Sequence, residues 1–302
     1  MDIHAADVSL SLMVFSSLRF RISRPGPSPK LCESVARFGV LEPPVLVSDG
    51  ERFIPMTGHN RLEAAKRAGL ESVRCLVCAA PEYEAFVSRA ALRTFRGELG
   101  VIGRVRAASI AASLKGVSSA DEEICALLEL PLSIVPSIEK ILALHESMLS
   151  YFDAKSVPQK TVLMVTSFPS AIADALRGWI AASNVRMNMF KSAVDLLDDL
   201  LRVKTQDELC SMITMNESAS DDALVSALYA LRNPVISQMN EKAGALCAEF
   251  KRHQIELVYP PFFEGSAVEV KLRMMRSDGG ASCRKGIEHL LQADFSRILG
   301  FL

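Results

Sequence analysis

The sequence predicts an α+β protein in three parts: an N-terminal α/β domain (1–81), a helical middle domain (82–218) and a small C-terminal α/β unit (219–302). Three observations lead to this prediction. Up to about residue 80, short apolar runs alternate with helical patterns and with turns rich in glycine and proline. From there to about 218, almost every segment has apolar residues at helical spacing. A polar stretch at 215–222 then precedes two helices, two alternating strands and a last helix.

The elements of the N-terminal domain are bounded by clear turn signals. Asp49-Gly50 is a hairpin signal between two apolar runs. Gly39 and Gly69 each follow a helical pattern and are expected to end it. The predicted strands are 10–22, 45–47, 52–56 and 73–77, and the predicted helices are 30–38 and 61–68.

In the middle domain the predicted helices are 82–114, interrupted by glycines, then 119–128, 132–144, 170–182, 188–203 and 206–213. The C-terminal unit is predicted to hold helices 223–232 and 234–252, strands 255–259 and 267–274, a turn at 277–280 and a helix at 282–299. A two-stranded hairpin needs packing partners, so this unit is a candidate for homodimerisation.

The overall charge argues against a protein that coats nucleic acid. The chain has 34 Lys and Arg against 35 Asp and Glu, a net charge of −1. Residues 1–115 nevertheless carry 16 basic and 11 acidic side chains, a net of +5, which leaves room for a local basic patch. No run is long and apolar enough for a membrane span, and the apolar stretch at 8–18 lacks the basic flank of a signal peptide.

The seven cysteines are odd in number and scattered, which is typical of reduced thiols in a cytoplasmic protein. Cys75 and Cys78 form a C-x-x-C within a predicted strand. Residues three apart on a strand point to opposite faces, so we expect two core cysteines rather than a metal or redox pair. No metal ligand and no catalytic residue is assigned.

The segment 57–70 is the one whose residues indicate a binding site. A strand enters, Gly58 permits a tight turn, and a helix leaves, so the first amides of the helix are free to bind an anion. Arg61 lies in the first helical turn, where it can bind a phosphate through two hydrogen bonds. His59 and Asn60 are expected to add donors beside it.

The order of elements around this turn resembles the ParB/sulfiredoxin superfamily, and ParB in particular. Ser34-Val35, Gly39, Pro43 or Pro44, Gly58, Arg61, Ala64-Ala65 and Ala68-Gly69-Leu70 fall where that family has its characteristic residues. The resemblance is close over about residues 10–80 and looser to about 215. It implies a CTP-binding domain, a helix-turn-helix that binds DNA, and a dimerisation segment. Sulfiredoxin activity is not expected, because Gly58 stands where sulfiredoxins have their cysteine.

The following helix departs from the ParB pattern. Family members have a Glu and an Asn there that hold Mg²⁺ and the triphosphate, but this chain has Leu92-Arg93-Thr94-Phe95-Arg96, in which only Arg96 fits. Mg²⁺ and CTP hydrolysis are therefore not expected. Arg89, Arg93 and Arg96 share one helix face and are equally consistent with phosphate binding, DNA-backbone contact and a solvated basic face.

The predicted helix-turn-helix has few residues suited to reading bases. Ser119 is the expected N-cap of its first helix, with Glu122 at the capping-box position. Its second helix contains an early Pro136 and offers mainly serines, Lys140 and Glu139. If DNA is bound, backbone contacts are expected to dominate. The candidates are Arg89, Arg93, Arg104 and Arg106.

The leading hypothesis is a cytoplasmic, dimeric, ParB-like protein that binds a nucleotide and acts in DNA partition or transcription regulation. CTP is the first candidate, with ATP or ADP as alternatives, held by Gly58, His59, Asn60, Arg61 and Arg96. A second hypothesis is a small-molecule phosphotransferase resembling the serine kinases of the superfamily, with Glu63 or Glu42 as acid or base. A third is an interaction scaffold that has lost both ligands.

Overall fold

The protein has an α+β fold, seen in a computed structural model that describes residues 3–23, 26–79, 82–274, 277 and 280–302. None of the helices in this described part of the chain combines the length and the apolar character that crossing a membrane would require.

The N-terminal region is a four-stranded sheet with two helices on one face. The strand order is β1-β4-β2-β3, in which β4 and β2 run parallel and the other neighbours are antiparallel. In chain order the elements are β1 (Ile3–Ser9), α1 (Pro29–Phe38), β2 (Val45–Asp49), β3 (Arg52–Pro55), α2 (His59–Arg67) and β4 (Ser72–Cys78).

The first strand lies earlier than the sequence pattern suggested. β1 pairs with β4 from Ile3↔Cys78 to Ser9↔Ser72, and the chain then enters a 3₁₀ turn at Leu10–Leu12. The predicted strand 10–22 is therefore wrong. Met13 forms only an isolated bridge with Phe53, and Leu12 and Leu18 are exposed. Phe20 is buried without strand pairing and packs against Phe86 at 6.0 Å between ring centroids.

The two faces of this sheet contribute to different cores. Cys75 packs with Val35 and Leu62 under α1 and α2, whereas Cys78 belongs to the large core that continues into the helical region. Both thiols are buried and free, which confirms the expectation of two core cysteines on opposite faces. Burial raises the pKa of Cys75 to about 11, so its thiol stays protonated and unreactive at neutral pH.

The middle of the chain is helical, as predicted, but more finely divided. Two of its helices, α7 and α8, lie where the sequence analysis placed no element. The helices are α3 (Glu82–Phe95), α4 (Val101–Lys115), α5 (Glu122–Leu127), α6 (Ile138–Leu142), α7 (Glu146–Ala154), α8 (Gln159–Ser167), α9 (Ser170–Ala182), α10 (Met187–Leu200), α11 (Gln206–Met215) and α12 (Asp221–Arg232).

The core of the helical region centres on aromatic side chains. Trp179 of α9 stacks on Phe190 of α10 at 6.4 Å between centroids, and both are fully buried. α12 packs against α10 and buries Leu224 and Leu228 in this same core. The helical core therefore extends past residue 218, into the predicted C-terminal unit.

The segment predicted to be a helix-turn-helix has an unusual second half. α5 is capped by Asp121, which accepts a hydrogen bond from the Ile124 amide at 3.0 Å, rather than by Ser119. The predicted helix 132–144 begins instead as a 3₁₀ turn over Leu132–Ser137 that contains Pro136, and only then becomes α6. Proline has no N–H and clashes with the preceding turn, so a continuous recognition helix does not form there.

The C-terminal region has its own small core. α13 (Pro234–Lys251) leads into a hairpin of β5 (Ile255–Val258) and β6 (Glu269–Leu272), followed by α14 (Ala281–Gln292) and α15 (Phe295–Leu299). Phe250, Ile255 and Ile298 are among its buried residues. The single helix predicted over 282–299 is thus two helices, and α15 starts at an Asp294 cap. The turn predicted at 277–280 falls partly outside the described residues.

Candidate functional site

The expected anion site forms one wall of an open cleft of about 430 Å³ between the sheet and α3. The turn before α2 and the start of β2 line one side, and one face of α3 lines the other. Seven of the residues predicted for phosphate or DNA contact lie here together: Gly58, His59, Asn60, Arg61, Arg89, Arg93 and Arg96. Glu42, predicted as a possible acid or base, lies here as well.

Gly58 sets the geometry of the turn. Its φ of 75° and ψ of 20° are in the left-handed region, and it caps α2 without a side chain. A Cβ atom at this position would lie 2.9 Å from Cβ of Pro44, so the turn passes too close to β2 for any other residue.

The first backbone amides of α2 are free. Within the described chain, the N–H groups of His59, Asn60 and Arg61 find no acceptor, and the first amide bonded in this turn is that of Leu62, to the Gly58 carbonyl. Unsatisfied amides at a helix N-terminus, together with the helix dipole, attract an anion. The start of α2 therefore offers three free amide donors at the wall of the cleft.

The guanidinium of Arg61 is held by Glu42 across the mouth of the cleft. Its Nη1 lies 2.7 Å from Oε2 of Glu42 and also donates to the Glu42 carbonyl. The Glu42 carboxylate is largely exposed, so the ion pair is screened by water and is weak. An incoming phosphate would compete with Glu42 for Arg61.

Arg89 and Arg93 of α3, and Arg96 directly after it, face the same space from the other side. Arg93 and Arg96 share Glu98, at 3.4 Å and 3.8 Å respectively. Arg89 has no ion-pair partner among the residues that the structure describes. All three arginines line the cleft, although the Arg96 side chain is also more than half exposed to solvent.

Arg21 is a site residue that the sequence analysis missed. Its buried guanidinium lies 2.8 Å from Oε1 of Glu63 and donates to Oδ1 of Asn60 at 3.0 Å. It therefore fixes the first turn of α2 from behind the cleft. Glu63 is held in this pair and does not line the cleft, whereas Asn60 keeps its amide NH₂ as a donor.

His59 is buried and neutral. Its side chain is 7% exposed, and its Nε2 has no hydrogen-bond partner within the described residues. Burial first, and then the positive charge of Arg21, lowers its pKa to about 4. Glu63 and the Pro55 backbone act in the opposite direction, but burial and Arg21 outweigh them. His59 therefore brings a neutral imidazole to the wall of the cleft.

The residues at the cleft do not fit Mg²⁺, the ion that the family resemblance implies. Magnesium prefers carboxylate oxygens and water. The cleft carboxylates Glu42 and Glu98 are both ion-paired to arginines. Over the part of the chain that is described, no three His, Cys, Asp or Glu side chains come together as a metal-binding group.

Two further predicted DNA contacts lie outside the cleft and are engaged within the protein. Arg104 donates to the Glu129 carbonyl at 3.0 Å. Arg106 pairs with Glu146 at 2.7 Å and also reaches the Ile22 carbonyl. These guanidiniums hold α4 to its neighbours.

The sequence and the structure were compared with those of known proteins. No protein-family model matches the sequence, and no curated protein matches it. Among solved structures, the chain is similar to the C-terminally truncated chromosome-partitioning protein ParB from Caulobacter crescentus, complexed with CTP-γ-S, with 18% identity and a TM-score of 0.27 over 57% of this chain and 97% of that one.

A second structure of the same Caulobacter protein, complexed to the centromeric parS site, is similar at 17% identity and a TM-score of 0.27. It matches over 57% of this chain and 90% of that one. A similarity of this size does not identify a ligand or a partner for this chain.

Proposed function

We propose that this protein is a ParB-like nucleotide-binding protein, with CTP as the first candidate ligand, that acts in DNA partition or transcription regulation. The observation that carries the proposal is the cleft itself. It joins the free amide N-terminus of α2 to four guanidiniums on two opposite walls. The sequence resemblance of residues 10–80 supplies the choice of CTP.

The charge of the cleft suits a di- or triphosphate. Its lining carries Arg61, Arg89, Arg93 and Arg96, four positive charges, against Glu42 and Glu98, two negative ones, for a net of +2. His59 adds none, because its pKa is lowered to about 4. The helix dipole adds a further partial positive charge at the same place.

Calorimetric titration with CTP, ATP, GTP and ADP tests the proposal, with Arg61→Ala as the diagnostic variant. A charge-assisted hydrogen bond contributes about 1.5–3 kcal/mol, so we expect Arg61→Ala to weaken binding about ten- to a hundredfold. Arg67→Ala is the matched control, because Arg67 lies on the same helix at its other end and does not line the cleft. A folded protein that binds no nucleotide would disprove the proposal.

Glu42→Gln is expected to tighten nucleotide binding about two- to fivefold. The carboxylate competes with phosphate for Arg61, and an amide competes less because it carries no charge. The same titration measures this, with Glu51→Gln, an exposed residue at the β2–β3 turn, as the control. Weaker binding by Glu42→Gln would show instead that Glu42 contacts the ligand favourably.

The phosphotransferase alternative lacks a well-placed base. Glu63 is paired with Arg21 away from the cleft, and Glu42 is paired with Arg61. A general base must reach the proton that it abstracts. We therefore prefer nucleotide binding to phosphotransfer. We also prefer it to the third hypothesis, a scaffold protein that has lost both ligands.

DNA binding and homodimerisation are supported by separate observations. DNA binding rests on the sequence resemblance, since Arg89 and Arg93 face the cleft while Arg104 and Arg106 are engaged within the protein. Homodimerisation is supported by exposed apolar side chains on the last two helices. They are Ile287, Leu291, Phe295 and Leu299.

A further inference from the structure

We propose that the cleft takes its phosphate ligand as the free polyanion, without a divalent cation. This inference rests on the proposed function and specifies the chemical form of the ligand. Arg89, Arg93 and Arg96 supply the positive charge that a bound metal ion would otherwise bring to the phosphates.

The first support is the placement of positive charge on both sides of the ligand space. Arg89 and Arg93 are four residues apart and lie on one face of α3, and Arg96 follows directly after the end of that helix. All three line the cleft opposite the free amides of α2. Guanidiniums bind phosphate oxygens in pairs of parallel hydrogen bonds, and they do so without a metal ion.

The second support is that both carboxylates of the cleft already form ion pairs with arginines. A hard cation needs anionic oxygen ligands that are free to coordinate it. One Glu42 oxygen already lies 2.7 Å from Arg61, and the Glu98 oxygens lie between Arg93 and Arg96. A divalent cation would have to remove these carboxylates from arginines and enter a cleft whose net charge is already positive.

The third support is the charge of the ligand itself. A nucleoside triphosphate carries about four negative charges when free and about two when complexed with Mg²⁺, since the metal neutralises part of the phosphate charge. Four guanidiniums and a helix N-terminus attract the more highly charged form more strongly. Mg²⁺ should therefore compete with the protein for the ligand.

Titration with CTP and with inorganic tripolyphosphate, each in EDTA and in excess Mg²⁺, tests the inference. We expect binding in EDTA and an affinity at least fivefold weaker in Mg²⁺. The double variant Arg93→Ala/Arg96→Ala should lose about tenfold or more in EDTA, while Arg67→Ala should bind as the parent does. Circular dichroism confirms that each variant is folded.

The outcomes separate the two proposals. Binding that requires Mg²⁺ would overturn this inference and leave nucleotide binding intact. Equal affinity with and without Mg²⁺ would also overturn it, because the arginines would then not distinguish the free polyphosphate from its Mg²⁺ complex. No binding of either probe under either condition would overturn the proposed function, and this inference with it.

Discussion

Gly58→Ala is expected to destabilise the protein by about 2–5 kcal/mol and to abolish measurable nucleotide binding. A left-handed φ costs a non-glycine residue about 1–2 kcal/mol. The new Cβ would also lie 2.9 Å from Cβ of Pro44, and relieving such overpacking costs about 1–3 kcal/mol. Moving the turn displaces the free amides that begin α2. Urea unfolding and the nucleotide titration measure the two effects separately.

Gly69→Ala is a matched control for this prediction. Gly69 follows the other end of α2 and has a similar φ of 74°, but a Cβ there would meet nothing within 4 Å. We expect it to cost only the backbone strain, about 1–2 kcal/mol, and to bind nucleotide normally. If the two variants were equally destabilised, the close approach to Pro44 would not matter.

Much of the site could be predicted because its determinants are local. The turn at Gly58, the helix start and the position of Arg61 all lie within four consecutive residues. The shared face of Arg89, Arg93 and Arg96 follows from helical spacing alone. The two walls are brought together by the large core beneath α3. The apolar spacing of the α3 sequence shows that one face of this helix is buried, but it does not show which element that face packs against.

Arg21 could not be found in the same way. Its partners Asn60 and Glu63 lie about 40 residues further along the chain, and no spacing rule connects them. It lies in an apolar stretch, where an arginine is most simply placed at the surface. The wrong strand at 10–22 has a related cause, because apolar side chains buried from an irregular loop give the same pattern as a strand.

Acid is expected to destabilise the protein through His59. Its pKa is about 4 in the folded protein and about 6.5 when unfolded, because burial disfavours the imidazolium. Between these values the unfolded chain binds the extra proton, so the free energy of unfolding is largest above pH 6.5 and falls as the pH decreases towards 4. This group alone should remove about 2 kcal/mol between pH 7 and pH 5.

Comparison with His59→Gln isolates that contribution from the carboxylates, which also titrate in acid. Glutamine has a side chain of similar polarity that carries no titrating group, so its unfolding free energy should fall by about 2 kcal/mol less over the same interval. His145→Gln is the control, since His145 lies at the exposed start of α7. Parallel pH profiles for the parent and His59→Gln would mean that the imidazole keeps a nearly ordinary pKa in the folded protein, and that its burial does not cause the acid sensitivity.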